Sequence, residues 1–259
     1  MSAGRGFHDH FSGHAAQYAA FRPGYPPALI AALASLAPAH DTGWDVGTGS
    51  GQAAVMLAEH FQRVIATDAS ERQVAHATAH PRVTYVVAPA ERAPLPDRSV
   101  ALVTVAQALH WFDRPAFYRE VQRVTVPGGV VAAWSYGLLR VDPAVDAVVD
   151  WFYGTRIGRY WPAERRHVET GYTTLDFPFP RLAVDAPPLE VMLDRSALVG
   201  LVGTWSAVAA ARAAEGGEPT DEFADRLQAA WPDPGPRPVR WPLALLVGRV
   251  RGGGAGGAA

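Results

Sequence analysis

The chain contains no cysteine, which removes disulfides, thiolate metal sites and cysteine nucleophiles together. It also contains no lysine: all 23 basic side chains are arginine, which with abundant Ala, Gly and Pro suggests a GC-rich bacterial genome. No apolar run approaches the ~20 residues that a membrane span requires. The net charge is −2, and no basic stripe is interleaved with aromatics, so neither a membrane nor a nucleic acid is an expected partner. The first residues, with His8, Asp9 and His10, lack the apolar core of a signal peptide, and the cytoplasm is the expected compartment. No Ser-His-Asp order and no paired carboxylates suggest hydrolysis. The 259 residues, 49% hydrophobic and 19% charged, describe a globular chain with a sizeable core.

Against these absences stands one glycine-rich stretch, Trp44-Asp45-Val46-Gly47-Thr48-Gly49-Ser50-Gly51-Gln52. A short apolar strand runs into three glycines spaced two apart, then into the helical run Ala53–Ala58. Glycine suits a backbone that must turn tightly and admit a ligand without a Cβ in the way. Seventeen residues past Gly51, the apolar run Val64-Ile65-Ala66-Thr67 ends in Asp68. A carboxylate at the end of the neighbouring strand accepts ribose hydroxyl protons, so the pair predicts a nucleoside cofactor. A dinucleotide fingerprint would place its third glycine where this chain has Gln52, and no Lys-Ser/Thr pair completes a phosphate loop. The compact G-x-G-x-G form resembles the S-adenosylmethionine (SAM) loop of class I methyltransferases. With Gly47, Thr48, Gly49, Gly51, Asp68 and Ala69, it forms the expected cofactor site, with SAM as cofactor.

Strands and helices alternate from here. Strands are predicted at 44–46, 63–68, 83–87, 99–106 and 129–136, and helices at 28–37, 51–60, 70–79 and 114–124. Continuous apolar strands such as Val100–Val105 fit a parallel sheet covered on both faces. After Tyr136 the rhythm breaks into an aromatic-rich stretch with six arginines, residues 138–188. A strand at 189–193, helices at 196–212 and 221–230 and a strand at 241–249 follow. The expected organisation is an N-terminal lid segment 1–27, a SAM-binding core 28–137, a substrate lid 138–188, the remainder of the core 189–250 and a disordered tail 251–259.

Further motifs resemble one branch of the class I methyltransferases. Tyr18, Arg22, Pro23, Tyr25 and Pro26 match its Y-x-x-x-R-P-x-Y-P signature, and Ala90-Glu91-Arg92-Ala93-Pro94-Leu95-Pro96-Asp97 matches the loop that touches adenine. Gln107–Asp113 matches its A-x-H-W-F-D motif, and Tyr160–Arg166 with Phe177–Phe179 and Thr204–Ser206 is similar to the trans-aconitate methyltransferase-like group. The resemblance covers residues 7 to 250, within the methyltransferase type 11 branch. It implies an α/β Rossmann-like fold with a seven-stranded, mostly parallel sheet, an antiparallel last strand and helices on both faces. The adenine loop departs from the family in carrying Pro89 where an aspartate is usual, which leaves Glu91 or a backbone carbonyl to meet the adenine amino group.

Methyl transfer from a sulfonium is an in-line displacement, so the protein must align the nucleophile and exclude water; no metal is needed. Positioning of this kind is worth on the order of 7–11 kcal/mol. A base is required only for a protonated nucleophile, and His110, after the fourth strand, is the candidate. Ala90 and Glu91 are placed at the adenine, Gln107 at the methionine end of the cofactor, Arg22 at its carboxylate and Tyr18 over it as part of a lid. Tyr25, Trp111, Trp134, Tyr136, Trp161, Arg165, Arg166 and Trp205 are the candidates for binding the substrate. The set His8, His10 and His14 reads as a solvated helix face and not as a metal site. The expected activity is SAM-dependent methylation of a small molecule, at oxygen before carbon or nitrogen. A Rossmann-type oxidoreductase and an inactive SAM-binding module are the alternatives. The oligomeric state is not readable.

Overall fold

A computed structural model describes residues 24–251 apart from Pro234. Tyr18, Arg22, the histidines at 8, 10 and 14, most of the expected N-terminal lid and the tail from 252 lie outside the described residues.

Eight strands form among these residues: β1 (Thr42–Val46), β2 (Arg63–Asp68), β3 (Val83–Val87), β4 (Val100–Ala106), β5 (Thr125–Tyr136), β6 (Leu189–Leu193), β7 (Arg237–Trp241) and β8 (Leu243–Arg249). The main sheet has the order β3-β2-β1-β4-β5-β8, with β8 antiparallel to β5 and every other pairing parallel. Strand order reverses between β1 and β4, so the crevice at their carboxyl ends is where an open α/β sheet receives its ligand. Every residue of β1 is buried, as are Val100 to Val105 of β4, because helices cover both faces.

Neighbouring residues of β5 serve opposite faces. Val130, Ala132 and Trp134 pack with Leu29 and Leu33 of α1 (Pro27–Ser35) and with Ala54 and Leu57 of α2 (Gln52–Leu57). Val131 and Ala133 pack toward α4 (Arg114–Val124), through Phe117 and Val121, while the short α3 (Glu71–Ala75) follows β2. Asp113 caps α4 by accepting a hydrogen bond from the Ala116 N–H at 3.2 Å. Pro127-Gly128-Gly129 lies inside β5, not at its start, as a bulge that shifts the register between Val100 and Leu102 on β4.

The sheet has six strands where seven were expected. β6 pairs with β7 in a separate antiparallel ribbon, from Leu189 opposite Trp241 to Leu193 opposite Arg237. The strand expected at 241–249 is cut at Pro242, which has no N–H for a ladder, so Trp241 belongs to the ribbon and Leu243 onward to the main sheet. The helix expected at 196–212 is two, α7 (Arg195–Gly203) and α8 (Ser206–Glu215), meeting at 72°. Gly203 weakens the helix there, and the Thr204 hydroxyl donates back to the Leu201 carbonyl at 2.6 Å. No single described helix is long and apolar enough to cross a membrane.

The domain boundaries also differ. Leu139, Val145 and Val149 of α5 (Pro143–Asp150), Phe152 and Ile157 share a third apolar cluster with α7, α8, α9 (Thr220–Ala230) and β7. This cap therefore combines the first part of the expected insertion with residues 189–241, which were expected in the core. The other part, with Val168 of α6 (Arg165–Glu169), Tyr172, Leu175 and Phe179, packs beside α4 on the main sheet.

Candidate functional site

The glycine loop leaves β1 with three left-handed residues: Gly47 at φ +64°, Gly49 at +55° and Gly51 at +85°. Their surroundings differ. A Cβ on Gly47 would lie 2.6 Å from the Ala108 Cβ, and one on Gly51 would lie 2.1 Å from the Tyr85 hydroxyl. A Cβ on Gly49 would meet no protein atom within 4 Å. Packing thus demands two of the glycines, and the third borders open space at the switch point. Asp68, at the end of β2, fixes this loop. Its Oδ2 accepts from the Gly49 N–H and its Oδ1 from the Ser70 N–H, both at 2.9 Å. A carboxylate at the end of this strand is the group that accepts ribose hydroxyl protons in such folds. Ala69 beside it is exposed.

Thr48 turns inward, and its hydroxyl donates to Asp45 Oδ2 at 2.6 Å, while the Thr104 hydroxyl donates to Asp45 Oδ1 at 2.7 Å. Asp45 is 1% exposed, and sequence reasoning missed it; the signal was a lone carboxylate between Trp44 and Val46 in an otherwise apolar strand. Burial pushes its carboxyl up to about 6 against the pull of the two hydroxyls, and the nearby Asp68 adds to the rise. The folded state then holds this proton more tightly than the unfolded chain. Its contribution to stability is fullest in acid and is lost as pH rises from about 4 through 6, by on the order of 3 kcal/mol. Asp45→Asn removes that titration. The stability difference between wild type and variant, measured by urea unfolding at about pH 4 and pH 7, is expected to change by that amount. A difference independent of pH would mean that Asp45 ionises normally.

The 90–97 loop is tied down from α4. Glu120 accepts from the Ala93 N–H at 2.7 Å and pairs with Arg123, whose guanidinium also reaches the Leu95 carbonyl and Asp97. Ala90 is buried, and Glu91 Oε1 accepts from the Asp113 N–H at 2.9 Å, which joins this loop to the start of α4. Gln107, after β4, stands at φ +59°, a backbone state costly for a residue with a side chain. Its amide nitrogen is buried without a hydrogen-bond partner among the described residues. Strain and an orphaned donor together make Gln107 a candidate ligand contact.

Gln107 also borders a narrow cleft with an enclosed volume of about 70 Å³. The carboxyl ends of β4 and β5 supply its floor with His110, Trp111 and Tyr136, the cap supplies Leu139, Trp161, Leu201, Trp205 and Trp241, and α6 supplies Arg165. Most of the expected substrate residues therefore meet in one place. Three do not. Trp134 is wholly buried beneath the sheet's covering helices with Tyr25 edge-on to it at 5.3 Å, and Arg166 is exposed outside the cleft. A second, more open hollow along Phe177–Pro180 shares no residue with the cleft or the glycine loop.

Arg165 is the fixed cation of the wall. Its Nε donates to the Tyr153 hydroxyl at 2.8 Å, and that hydroxyl donates to Glu169 at 2.6 Å. The guanidinium lies 4.9 Å from the Trp161 ring centre and 5.5 Å from that of Tyr153, and it has no ion pair among the described residues. Arg156 and Arg159, by contrast, are both engaged by Glu215. His110 differs from expectation. Burial first, then the cations of Arg165, His167 and Arg114, pull it down to about 3, which leaves it neutral and a weak base. Its Nδ1 is 2.9 Å from the hydroxyl of buried Tyr172, another residue the sequence did not disclose.

Comparison with known proteins bears on both halves of this site. Residues 44–133 match a family described as a methyltransferase domain. A Dictyostelium discoideum protein described as a methyltransferase is 35% identical over 208 residues, 79% of either chain. A solved structure from Anaeromyxobacter dehalogenans, described as a type II methyltransferase, is 52% identical and superposes with a TM-score of 0.82 over 89% of this chain and 99% of that one. An uncharacterised methyltransferase of Mycobacterium bovis is 38% identical over 109 residues, 42% of this chain and 44% of its own.

Proposed function

The chain belongs to the S-adenosylmethionine-dependent methyltransferases, and we propose that it methylates a small acidic molecule at oxygen, within the trans-aconitate methyltransferase-like branch. The described residues fit the cofactor. Open space borders Gly49, the Asp68 carboxylate stands at the end of β2 beside that space, and the Gln107 amide nitrogen has no hydrogen-bond partner among the described residues. When bound, the group supplies a methyl on a positively charged sulfur, already activated for displacement. The glycine loop and Asp68 hold the nucleoside, the 90–97 loop borders the adenine, and the aromatic walls exclude water from the reacting atoms.

The observation that carries the acceptor class is Arg165, a cation without an ion pair among the described residues, in a wall of rings with no carboxylate among the cleft's described lining residues. Such a wall attracts an anionic oxygen and repels a protonated amine, so oxygen is favoured over nitrogen. Gln52, where a dinucleotide loop needs glycine, argues against an oxidoreductase.

Labelled S-adenosylmethionine should pass its methyl to members of a panel of small carboxylic acids and phenols. Arg165→Ala should raise KM for those acceptors about 10–100-fold, the range for losing a hydrogen bond to a charged group, with S-adenosylhomocysteine affinity unchanged. Transfer only to amines, or only to macromolecules, would overturn this reading. S-adenosylhomocysteine should raise the melting temperature and NADH should not.

A further inference from the structure

Tyr172 occupies an unusual place. It follows Gly171 at the end of the turn after α6, and both have left-handed backbones, at φ +62° for Tyr172 and +59° for Gly171. A left-handed conformation is costly for a residue with a Cβ. The ring it positions is completely buried, between the sheet's α4 side and His110. Burial drives the phenol well above its ordinary range, so it keeps its proton throughout working pH.

That proton needs an acceptor, because a buried hydroxyl hydrogen without one forfeits the solvation it had in water. The hydrogen-bond partner within reach is His110 Nδ1, at 2.9 Å. The Ser135 hydroxyl and the His110 backbone N–H beside the phenol act on its oxygen as donors, which leaves Nδ1 to receive the phenol's own proton. The phenol therefore donates to Nδ1. A neutral imidazole has one proton, so that proton must sit on Nε2. The groups facing the ring are Tyr172, Arg165, His167 and Arg114, and none of them is an anion that would favour a second proton. His110 Nε2 has no partner among the described residues, and the residue lines the cleft.

We propose that Tyr172 is a positioning residue that locks His110 in the Nε2-protonated tautomer, so that His110 donates a hydrogen bond to the acceptor and does not take a proton from it. With Arg165, which lines the same cleft, His110 then presents a second donor to the acceptor. An acceptor enters already deprotonated, and its oxygen is held by N–H groups on the side away from the attacking lone pair. This inference rests on the cleft being the acceptor site.

The test is ¹⁵N NMR of the full chain labelled in histidine, with S-adenosylhomocysteine bound and the His110 resonances identified by their loss in His110→Gln. The expected spectrum has an unprotonated, pyridine-type Nδ1 and a protonated, pyrrole-type Nε2, unchanged between about pH 5 and pH 8. Tyr172→Phe should move both shifts toward the averaged values of mixed tautomers while S-adenosylhomocysteine affinity stays within about twofold. A proton on Nδ1, or a ring that titrates within that range, would overturn the proposal even if Tyr172→Phe failed to fold, since the wild type alone decides it. Should Arg165→Ala leave acceptor KM unchanged while the tautomer is as expected, the acceptor-site reading fails and the Tyr172 lock survives.

Discussion

Gly49→Ala is expected to weaken S-adenosylhomocysteine binding about 10–100-fold while leaving most of the stability of the fold. The added methyl meets no protein atom within 4 Å, so the folded chain bears little beyond the left-handed backbone at φ +55°, roughly 1–2 kcal/mol. The space that methyl enters is the space assigned to the cofactor, and forcing a methylene-sized group into a filled site costs about 1–3 kcal/mol. Gly47→Ala should divide its effects differently. Its Cβ would sit 2.6 Å from that of Ala108 and 3.2 Å from the Phe112 ring, so overpacking adds to the backbone cost, about 2–5 kcal/mol in all. Calorimetric titration and thermal unfolding of both variants separate the cases. Normal binding by Gly49→Ala would show that the cofactor passes elsewhere.

Asp68→Ala should have the larger effect on binding, on the order of 10²–10³-fold. Hydrogen bonds from ribose hydroxyls to a carboxylate are worth about 1.5–3 kcal/mol, and the same carboxylate holds the Gly49 and Ser70 N–H groups that shape the loop. Removing it takes away a ligand contact and the loop's preorganisation at once. Asp68→Asn should fall between the two, because its amide nitrogen accepts from neither N–H. Binding within about threefold of wild type by Asp68→Ala would remove Asp68 from the cofactor site.

The elements that were legible are those with one strong local pattern. β2, β3 and α4 lie where the local apolar patterns put them, and the glycine loop and Asp68 meet as their spacing required. The errors fell where the pattern was read at too coarse a grain. Leu189, Val191 and Leu193 alternate with Glu190 and Met192, the rhythm of a one-sided antiparallel ribbon, not of a strand covered on both faces. Pro242 inside an expected strand was itself the mark of the break between β7 and β8. In the site, the rings and Arg165 were identifiable by type and segment, but the roles of Trp134 and Arg166 turned on which way they faced. His110 was identifiable and its chemistry was not. Its burial, which weighs most, and the phenol and guanidinium beside it depend on residues 165–172, distant in sequence from 110. Tyr153 and Glu169, which hold Arg165, left no local signal at all.

The cap possesses an apolar cluster separate from the two that flank the main sheet, and Tyr136 and Leu243 border both territories. Distant, unshared packing makes the effects of substitutions nearly additive, so changes in Trp161, Leu201, Trp205 or Trp241 draw on the stability of one cluster and spare the other. The two halves of the molecule can consequently drift under separate selection. New acceptors are within reach of changes in the cap alone, while the half that receives the methyl donor is inherited intact.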